Sequence, residues 1–463
     1  MAEKKRGSFS GSIGFVLAAA GSAVGLGNIW RFPYLAAKDN GGLFILVYII
    51  LALTFGFTLL TTEIAIGRKT KQSPLTAYGK LNGKFKFLGS LATLVPVIIL
   101  PYYCTIGGWV LKYLTDFVTG TGSGAAADGY FTGFITQQWA PIVFFIVFLG
   151  LTSLVVFCGV DKGIEKFSKV LMPVLLLLVI GIAAYSLTVK FTDENGVVRT
   201  GLQGLKMYLI PSFEGVTFKS FLVVLMDAMG QLFFSISVSM GIMVAYGSYV
   251  KDETNLMKSI NQIEIFDTVV AILAGAMIVP AVYVFMGKDG MSGGPGLMFI
   301  SLPKVFANMG VAGNIIGALF FVMVAFAAVT SSVSVMEAIV ASIMDKFCFS
   351  RKKSAVIVTV YALVFGIIVC LGYNKLYFEI KLPGGSVGQI LDLMDYISNN
   401  ILMPIVAVLT CVLIGWVVKP KTVIEEVTKN GEKFGRKNVY IVMIKYIAPV
   451  LLVCLLLQAF GVY

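Results

Sequence analysis

Long apolar segments recur along almost the whole chain and restrict it to one class of fold. A helix needs about 20 apolar residues to cross a bilayer. Eleven segments reach that length, at residues 12–38, 43–67, 87–118, 140–159, 166–189, 219–249, 256–286, 312–345, 354–373, 385–418 and 440–461. Of the 463 residues, 58% are hydrophobic and 13% are charged, too few charges for the surface of a soluble domain. The sequence therefore predicts an all-α membrane protein with eleven transmembrane helices.

Basic residues concentrate in alternate connections between these spans. Residues 4–6 are Lys-Lys-Arg, and most other Lys and Arg follow the even-numbered spans. Because basic loops stay in the cytoplasm, we expect a cytoplasmic N-terminal segment 1–11, a cytoplasmic loop 419–439 and an extracytoplasmic end to the last span, 440–463. This topology explains the net charge of +12 without nucleic acid. The lack of an Asn-x-Ser/Thr acceptor favours a bacterial inner membrane.

Glycine interrupts the first span. Gly21, Gly25 and Gly27 fall within seven residues, and glycine weakens a helix because it has no side chain to restrict the backbone. Unwound backbone in hydrocarbon leaves N–H and C=O groups without partners, which is tolerated only beside a protein cavity, a ligand or an ion. The interruption therefore predicts an ion or substrate site.

A second interruption falls in the sixth span, where residues 231–241 combine three serines with a glycine. Small residues also allow helices to pack closely. Spans 1 and 6 become equivalent, however, if segments 12–189 and 219–418 are two inverted repeats, and paired broken helices mark the central site of a transporter. We therefore expect a 5+5 inverted repeat over 12–418, with helices 1 and 6 broken in mid-membrane.

Polar side chains in other spans are candidates for this site. Beside the unwound carbonyls, the hydroxyls of Thr330 and Ser331 would complete a neutral oxygen cage suited to sodium, although such hydroxyls also bond within their own helix. A carboxylate at the depth of Asp267 needs a cation or a hydrogen-bond donor. Glu63 is predicted to hold the unwound part of span 1 by accepting its N–H groups.

Enzymatic function is not expected. The chain has no histidine, which excludes Ser-His and Cys-His catalysis and argues against zinc. It has no phosphate-binding G-x-x-x-x-G-K-[ST] motif, and its six cysteines occur singly.

Three motifs carry a resemblance to a known family. Residues 21–33 (GSAVGLGNIWRFP), 231–241 and 330–332 resemble the neurotransmitter:sodium symporter family, in its bacterial amino-acid branch, and the resemblance runs from the first span to the eleventh. It implies a symporter that imports an amino acid with sodium by alternating access. Two sodium ions are expected.

The resemblance also implies the residues of each subsite. The first sodium would be held, together with the substrate carboxylate, by Ala23, Asn28, Ser235 and Asp267. The second would be held by Gly21, Val24, Ala327, Thr330 and Ser331. The charged groups of the substrate would meet Ala23, Leu26, Gly27, Tyr103, Phe234 and Ser235. Its side chain would contact Ile99, Tyr103, Phe234, Ser237, Met240, Ser331, Ser334 and Val335.

Two gates follow from the same comparison. Arg31 and Asp395 are expected to pair across the outer mouth, where a solvated pair is weak enough to open. Arg6 and Asp345, near Tyr249, would form the inner gate.

Departures from the family pattern predict specificity. Asp267 stands where asparagine is more usual, and its fixed charge predicts independence of chloride. Met240 stands where a bacterial relative has phenylalanine, and its flexibility predicts a large apolar or aromatic substrate, with tyrosine or tryptophan favoured.

Two alternatives remain open from the sequence. One is a proton-coupled or exchange transporter of the same fold, with Asp267 titrating instead of binding sodium. The other is an amino-acid sensor that does not transport. The sequence predicts a small-molecule substrate and contact with the lipid bilayer, and it gives no oligomeric state.

Overall fold

Apolar helices account for most of the chain in a computed structural model, which describes residues 7–192, 196–287, 290–291, 295–383, 385 and 387–462. Within these residues, ten continuous helices are long and apolar enough to cross a membrane, and one bent pair brings the number to eleven. Spans 1 to 11 are, in order, Ser12–Ala23 with Gly27–Lys38, Gly42–Thr70, Gly83–Val118, Ala140–Phe157, Val160–Thr188, Phe218–Ser235, Leu256–Met286, Val311–Phe347, Arg351–Leu371, Ile390–Val417 and Lys437–Ala459. The predicted number and order of spans are confirmed.

Spans 1 and 6 are both interrupted. The two halves of span 1 meet at an angle of 54°. Span 6 ends at Ser235 and resumes as the helix Ile242–Ser248. Between them, Ser237 and Ser239 have φ values of 53° and 63°, which residues other than glycine rarely adopt. Tertiary contacts must therefore hold this segment in place.

Short elements connect the spans. Two antiparallel strand pairs are Lys190–Thr192 with Val198–Thr200 and Ile380–Lys381 with Val387–Gly388. Short helices occupy Pro74–Leu81, Tyr130–Ile135, Gly201–Leu209, Leu297–Asn308 and Lys421–Val427.

The helix Leu297–Asn308 covers part of the bundle through Phe299. The ring of Phe299 packs on Trp30 of span 1 and Trp109 of span 3, and its carbonyl accepts a hydrogen bond from Tyr113 Oη at 2.8 Å. This helix therefore closes the space between spans 1 and 3.

Span 8 lies at the centre of the bundle. Every residue from 327 to 342 is buried, so this part of the helix is enclosed on all sides. Spans 5, 9 and 11 instead expose apolar side chains, including Leu177, Val360 and Val450, as expected for surfaces in contact with lipid. The core therefore surrounds spans 1, 6 and 8, where the polar motifs lie.

The connection between spans 10 and 11 is fixed to span 2 by a buried ion pair. Arg68 Nε lies 2.7 Å from Glu426 Oε1, and both side chains are almost completely buried. Nearby, hydrogen bonds from Lys71 and Lys429 lower the pKa of Asp252 to about 2. Ion pairs thus join span 2, residues 250–255 and the helix Lys421–Val427.

Glu426 and its neighbour Glu425 provide a matched test of this attachment. We expect Glu426→Gln to lower the free energy of unfolding by about 3 kcal/mol, because it leaves the buried Arg68 charge uncompensated. Glu425, an exposed residue 3.6 Å from Lys421, should change it by less than about 0.5 kcal/mol when replaced by Gln. Unfolding in detergent, followed by tryptophan fluorescence, measures both variants. Equal stability of the two would contradict a structural role for the buried pair.

Candidate functional site

The interruptions of spans 1 and 6 lie against each other. Ser237 Oγ donates to the carbonyl of Ser22 at 3.0 Å and lies 3.1 Å from the Ser22 hydroxyl. Gln231 Nε2 donates to the carbonyl of Gly27 at 3.1 Å. Side chains of span 6 therefore satisfy carbonyls that the break in span 1 releases.

A buried polar cluster joins these two spans to span 7. The Asp267 carboxylate accepts hydrogen bonds from Asn28 Nδ2 at 2.9 Å, Ser235 Oγ at 2.8 Å and Tyr48 Oη at 3.3 Å. Ser235 Oγ also lies 3.2 Å from Asn28 Oδ1. Each of the four side chains is at most 1% exposed. The cluster brings carboxylate, amide and hydroxyl oxygens together in a buried site. Oxygen ligands of this kind suit a small hard cation.

Span 8 presents a second group of oxygens to span 1. Ser331 Oγ lies 3.1 Å from the carbonyl oxygen of Ser22 and 3.4 Å from that of Gly21. Thr330 Oγ1 donates within its own helix, at 3.1 Å to the carbonyl of Ala327. Ser331 therefore contacts the backbone of span 1. The Thr330 hydroxyl also lies 2.9 Å from the carbonyl of Phe326, four residues earlier, which is the bond within its own helix that was the alternative.

A small cavity of about 30 Å³ lies between the two interruptions. It has room for about two water molecules. Its walls are Ser22, Ala23, Gly25, Gly27, Asn28, Ile99, Tyr103, Phe234, Ser237, Met240, Ile242, Ser331 and Val335. Most of the predicted substrate contacts thus surround one cavity, and a larger ligand requires its side chains to move.

Three predicted substrate contacts, Leu26, Ser235 and Ser334, do not line the cavity, and neither does the predicted sodium ligand Val24. The Leu26 amide points at Tyr103 Oη, 3.5 Å away. Val24 is fully buried at the end of the first half of span 1. Ser334 accepts a hydrogen bond from Tyr246 Oη at 2.7 Å, which turns its hydroxyl toward span 6 below the cavity.

A larger cavity of about 640 Å³ lies on the other side of Phe234. Arg31, Asp227 and Asn399 supply part of its polar lining. Phe234 lines both cavities, and a Cβ at Gly27 would lie 2.5 Å from its ring. The ring of Phe234 therefore separates the two spaces, and only glycine at position 27 leaves room for it.

The predicted outer gate is apart in this structure. Arg31 lines the larger cavity, and no ion pair joins it to Asp395 in the described part of the chain. Asp395 instead accepts hydrogen bonds from Tyr102 Oη at 3.1 Å and Asn399 Nδ2 at 2.6 Å.

Charged residues also meet at the rim of this cavity. Lys38 Nζ lies 2.6 Å from Asp227 Oδ2 and joins the end of span 1 to span 6. Burial and the nearby Asp227 carboxylate together raise the pKa of the adjacent Asp39 to about 7, against the opposing effect of the Lys38 ammonium. Asp39 therefore changes its charge near neutral pH.

The opposite face is closed. Tyr249 Oη donates to Glu337 Oε1 at 2.6 Å, and Arg351 binds the same carboxylate. The amide of Phe9 donates to the carbonyl of Tyr249 at 3.2 Å and fixes the N-terminal segment over span 6. Glu337 and Arg351 had no role in the sequence prediction because nothing in the sequence showed that spans 8 and 9 bring them together.

The predicted inner pair is only partly visible. Asp345 accepts a hydrogen bond from the amide of Ser73 at 2.6 Å, while Arg6 lies outside the described residues. The pairing of these two residues stays a prediction.

The prediction for Glu63 is wrong. Glu63 Oε1 accepts a hydrogen bond from the amide of Ser239, at 2.6 Å, and so holds the interruption of span 6 instead of span 1. Ser239 lies between the two helical halves of span 6, so its amide belongs to neither helix. Tyr48 and Gln231 are further site residues that sequence reasoning missed. Their polar groups within apolar spans were a signal, but their partners depend on the packing of spans.

Two helices broken at matching positions, with buried oxygens at the breaks, are the features of a membrane transporter with a central site. The model of the Sodium:neurotransmitter symporter family matches residues 6–125 and 135–463. The chain belongs to this family and is a sodium-dependent transporter embedded in the membrane.

Individual relatives agree with this assignment. The uncharacterised sodium-dependent transporter YhdH of Bacillus subtilis is 34% identical over 100% of this chain and 99% of its own length. The sodium- and chloride-dependent GABA transporter 2 of Homo sapiens is 25% identical over 90% of this chain and 74% of its own. The crystal structure of MhsT in complex with L-phenylalanine covers 98% of this chain and 100% of its own, with 34% identity and a TM-score of 0.85. The predicted inverted-repeat fold is thereby confirmed.

Gly25 provides a test of the small cavity. A Cβ at this position would lie 2.8 Å from Ser331 Oγ and 3.2 Å from Tyr103 Oη. Overpacking of this kind costs about 1–3 kcal/mol, so Gly25→Ala should weaken ligand binding by about five- to a hundredfold. Binding of labelled L-phenylalanine, used as the probe because MhsT was solved with it, measures the effect.

Gly133→Ala is the matched control, because a Cβ there would meet no atom within 4 Å. Its binding should equal that of the unmodified protein. Normal binding by Gly25→Ala would show that the ligand does not occupy this cavity.

Proposed function

We propose that the protein is a symporter that imports a hydrophobic or aromatic L-amino acid together with sodium. The observation that carries this proposal is that two different groups of polar atoms lie at one small cavity. On one side lie the buried oxygens of Asn28, Ser235 and Asp267. On the other, the Leu26 amide faces the Tyr103 hydroxyl, and both are donors for a carboxylate.

The substrate carboxylate would link these two groups. It would accept hydrogen bonds from the Leu26 and Gly27 amides and from Tyr103, at the positive N-terminal end of the half-helix that begins at Gly27. Its other oxygen would complete the shell of the first sodium ion, with the carbonyl of Ala23. Each ligand then stabilises the other, and the gain in affinity is reciprocal, typically about 1–3 kcal/mol. This coupling lets the sodium gradient drive uptake.

A second sodium ion would bind where span 8 meets span 1. The proposed ligands are the carbonyls of Gly21, Val24 and Ala327 and the hydroxyls of Thr330 and Ser331. The contact of Ser331 with the Gly21 and Ser22 carbonyls supports this position, because it brings hydroxyl and carbonyl oxygens together.

The walls of the small cavity favour a large apolar substrate. Ile99, Phe234, Met240 and Val335 surround the space into which a substrate side chain would point. The Met240 side chain is flexible, so the aromatic ring of a substrate would be able to displace it from this space. MhsT, whose solved complex contains L-phenylalanine, shares this fold at 34% identity. Tyrosine or tryptophan remains our preferred substrate.

Asp267 supports transport without chloride. Its carboxylate is fully buried beside the proposed first sodium and already supplies a negative charge there. A chloride ion beside it would be repelled in a medium of low dielectric constant.

The open and the closed face support transport by alternating access. We place the N-terminal segment in the cytoplasm of a bacterial cell. Closure of Arg31 on Asp395 would cover the larger cavity. Release of the contacts around Tyr249 and Asp345, with Arg6, would then open the opposite face. In this scheme 12–418 is the transport core and 440–463 an added span.

Uptake into proteoliposomes tests the proposed function. Labelled L-tyrosine should accumulate with an inward sodium gradient and not when choline replaces sodium, because the ion completes the substrate site. Unlabelled aromatic amino acids should compete better than leucine, and leucine better than charged amino acids. Uptake that persists in choline under a pH gradient would favour the proton-coupled alternative, and binding without counterflow would favour a sensor.

Asp267→Asn tests the first sodium site. Contacts with charged groups are worth about 1.5–3 kcal/mol, so the sodium concentration for half-maximal uptake should rise by about ten- to a hundredfold. Uptake should also become sensitive to replacement of chloride by gluconate. Glu264→Gln, in the same span but paired with Arg436, is the control and should leave the ion dependence unchanged. Unchanged ion dependence of Asp267→Asn would remove this residue from the site.

A further inference from the structure

A basic groove lies where spans 10 and 11 leave the bilayer, far from the transport site. Its volume is about 470 Å³. Four lysines, Lys419, Lys421, Lys437 and Lys445, surround it, with Glu425 as the acidic member of its lining. The groove therefore carries a net positive charge and fits an anion.

Apolar side chains extend the groove toward the lipid. Ile424 and Ile441 form part of its wall. Below them on the two spans, Val417, Val442 and Ile447 are 42%, 46% and 43% exposed. A ligand that fills both regions must have an anionic head and an apolar tail.

An aromatic pair fixes the depth of the groove. Trp416 and Tyr446 are 56% and 53% exposed, and their rings pack edge to face at 5.6 Å. Exposed Trp and Tyr of membrane proteins concentrate at the level of the lipid headgroups. Lys445 lies over the Trp416 ring at 6.0 Å, and Trp416 Nε1 donates to the Lys445 carbonyl at 3.2 Å. The aromatic pair thus places Lys445 at headgroup level.

We propose that this groove binds the headgroup of an anionic phospholipid. The lysine ammonium groups would contact the phosphodiester, and the acyl chains would follow the exposed valines and isoleucine of spans 10 and 11. Basic pockets between transmembrane helices recognise anionic headgroups in this way. The groove lies on the closed face, because Lys251 Nζ donates to the carbonyl of Ser10 in the N-terminal segment and the carbonyl of Asp252 accepts from Asn430 Nδ2. This site is independent of the transported substrate.

Fluorescence quenching measures binding at the groove directly. Among the four tryptophans, Trp139 and Trp416 are largely exposed, so Trp139→Phe leaves Trp416 as the exposed reporter. The full-length protein in detergent is mixed with phosphatidylglycerol or phosphatidylcholine, each brominated on its acyl chains. Phosphatidylglycerol should quench Trp416 several-fold more effectively at equal mole fraction. Added salt should reduce this preference, because it screens the lysines.

Two quadruple variants distinguish a site from general surface charge. Replacing the four groove lysines by Gln should lower quenching by phosphatidylglycerol to the level of phosphatidylcholine. Replacing four exposed lysines of the same face by Gln should keep the preference; these are Lys84, Lys86, Lys346 and Lys352. Emission before lipid is added reports an intact groove in each variant.

Three results would overturn the proposal. The first is equal quenching by the two lipids, and the second is equal loss of the preference in both quadruple variants. The third is displacement of phosphatidylglycerol by millimolar inorganic phosphate beyond the effect of sodium chloride at the same ionic strength, which would assign the groove to a soluble phosphate compound.

Discussion

The fold depends on how an apolar bundle satisfies the backbone groups that two broken helices release inside it. Neither break is stable alone, because unpaired peptide groups in a dry interior are costly. The breaks compensate each other: Ser237 and Gln231 of span 6 bind carbonyls of span 1, while Glu63 of span 2 binds the freed amide of Ser239. This mutual satisfaction fixes the two spans side by side and places polar groups at the centre of the protein.

The same constraint accounts for the charge at that centre. Asp267 is fully buried, and it is kept there by donors from three other spans, carried by Asn28, Tyr48 and Ser235. A buried carboxylate with only hydrogen bonds as partners is poised to accept a cation. The proposed sodium and substrate site is therefore also a structural junction, so a ligand bound there would contact several spans at once.

The two ends of the molecule are built differently. One end has a cavity of about 640 Å³ with Arg31 on its wall, whereas the opposite end is closed by the contacts of Phe9, Tyr249 and Glu337. Around the closed end, the buried Arg68–Glu426 pair fixes the connection of spans 10 and 11 to span 2. That connection also carries part of the basic groove.

The sequence by itself determined the membrane class, the number of spans and the two breaks, because apolar length and glycine or serine content act locally along the chain. It also selected most residues around the small cavity, through motifs that a family shares. Only the tertiary structure decided which groups meet: that Glu63 serves span 6, that Tyr48 joins Asp267, that Ser334 turns to Tyr246, and that Arg351 binds Glu337. Each of these contacts joins different spans, and their distances depend on how helices pack and rotate, which no local pattern in the sequence specifies.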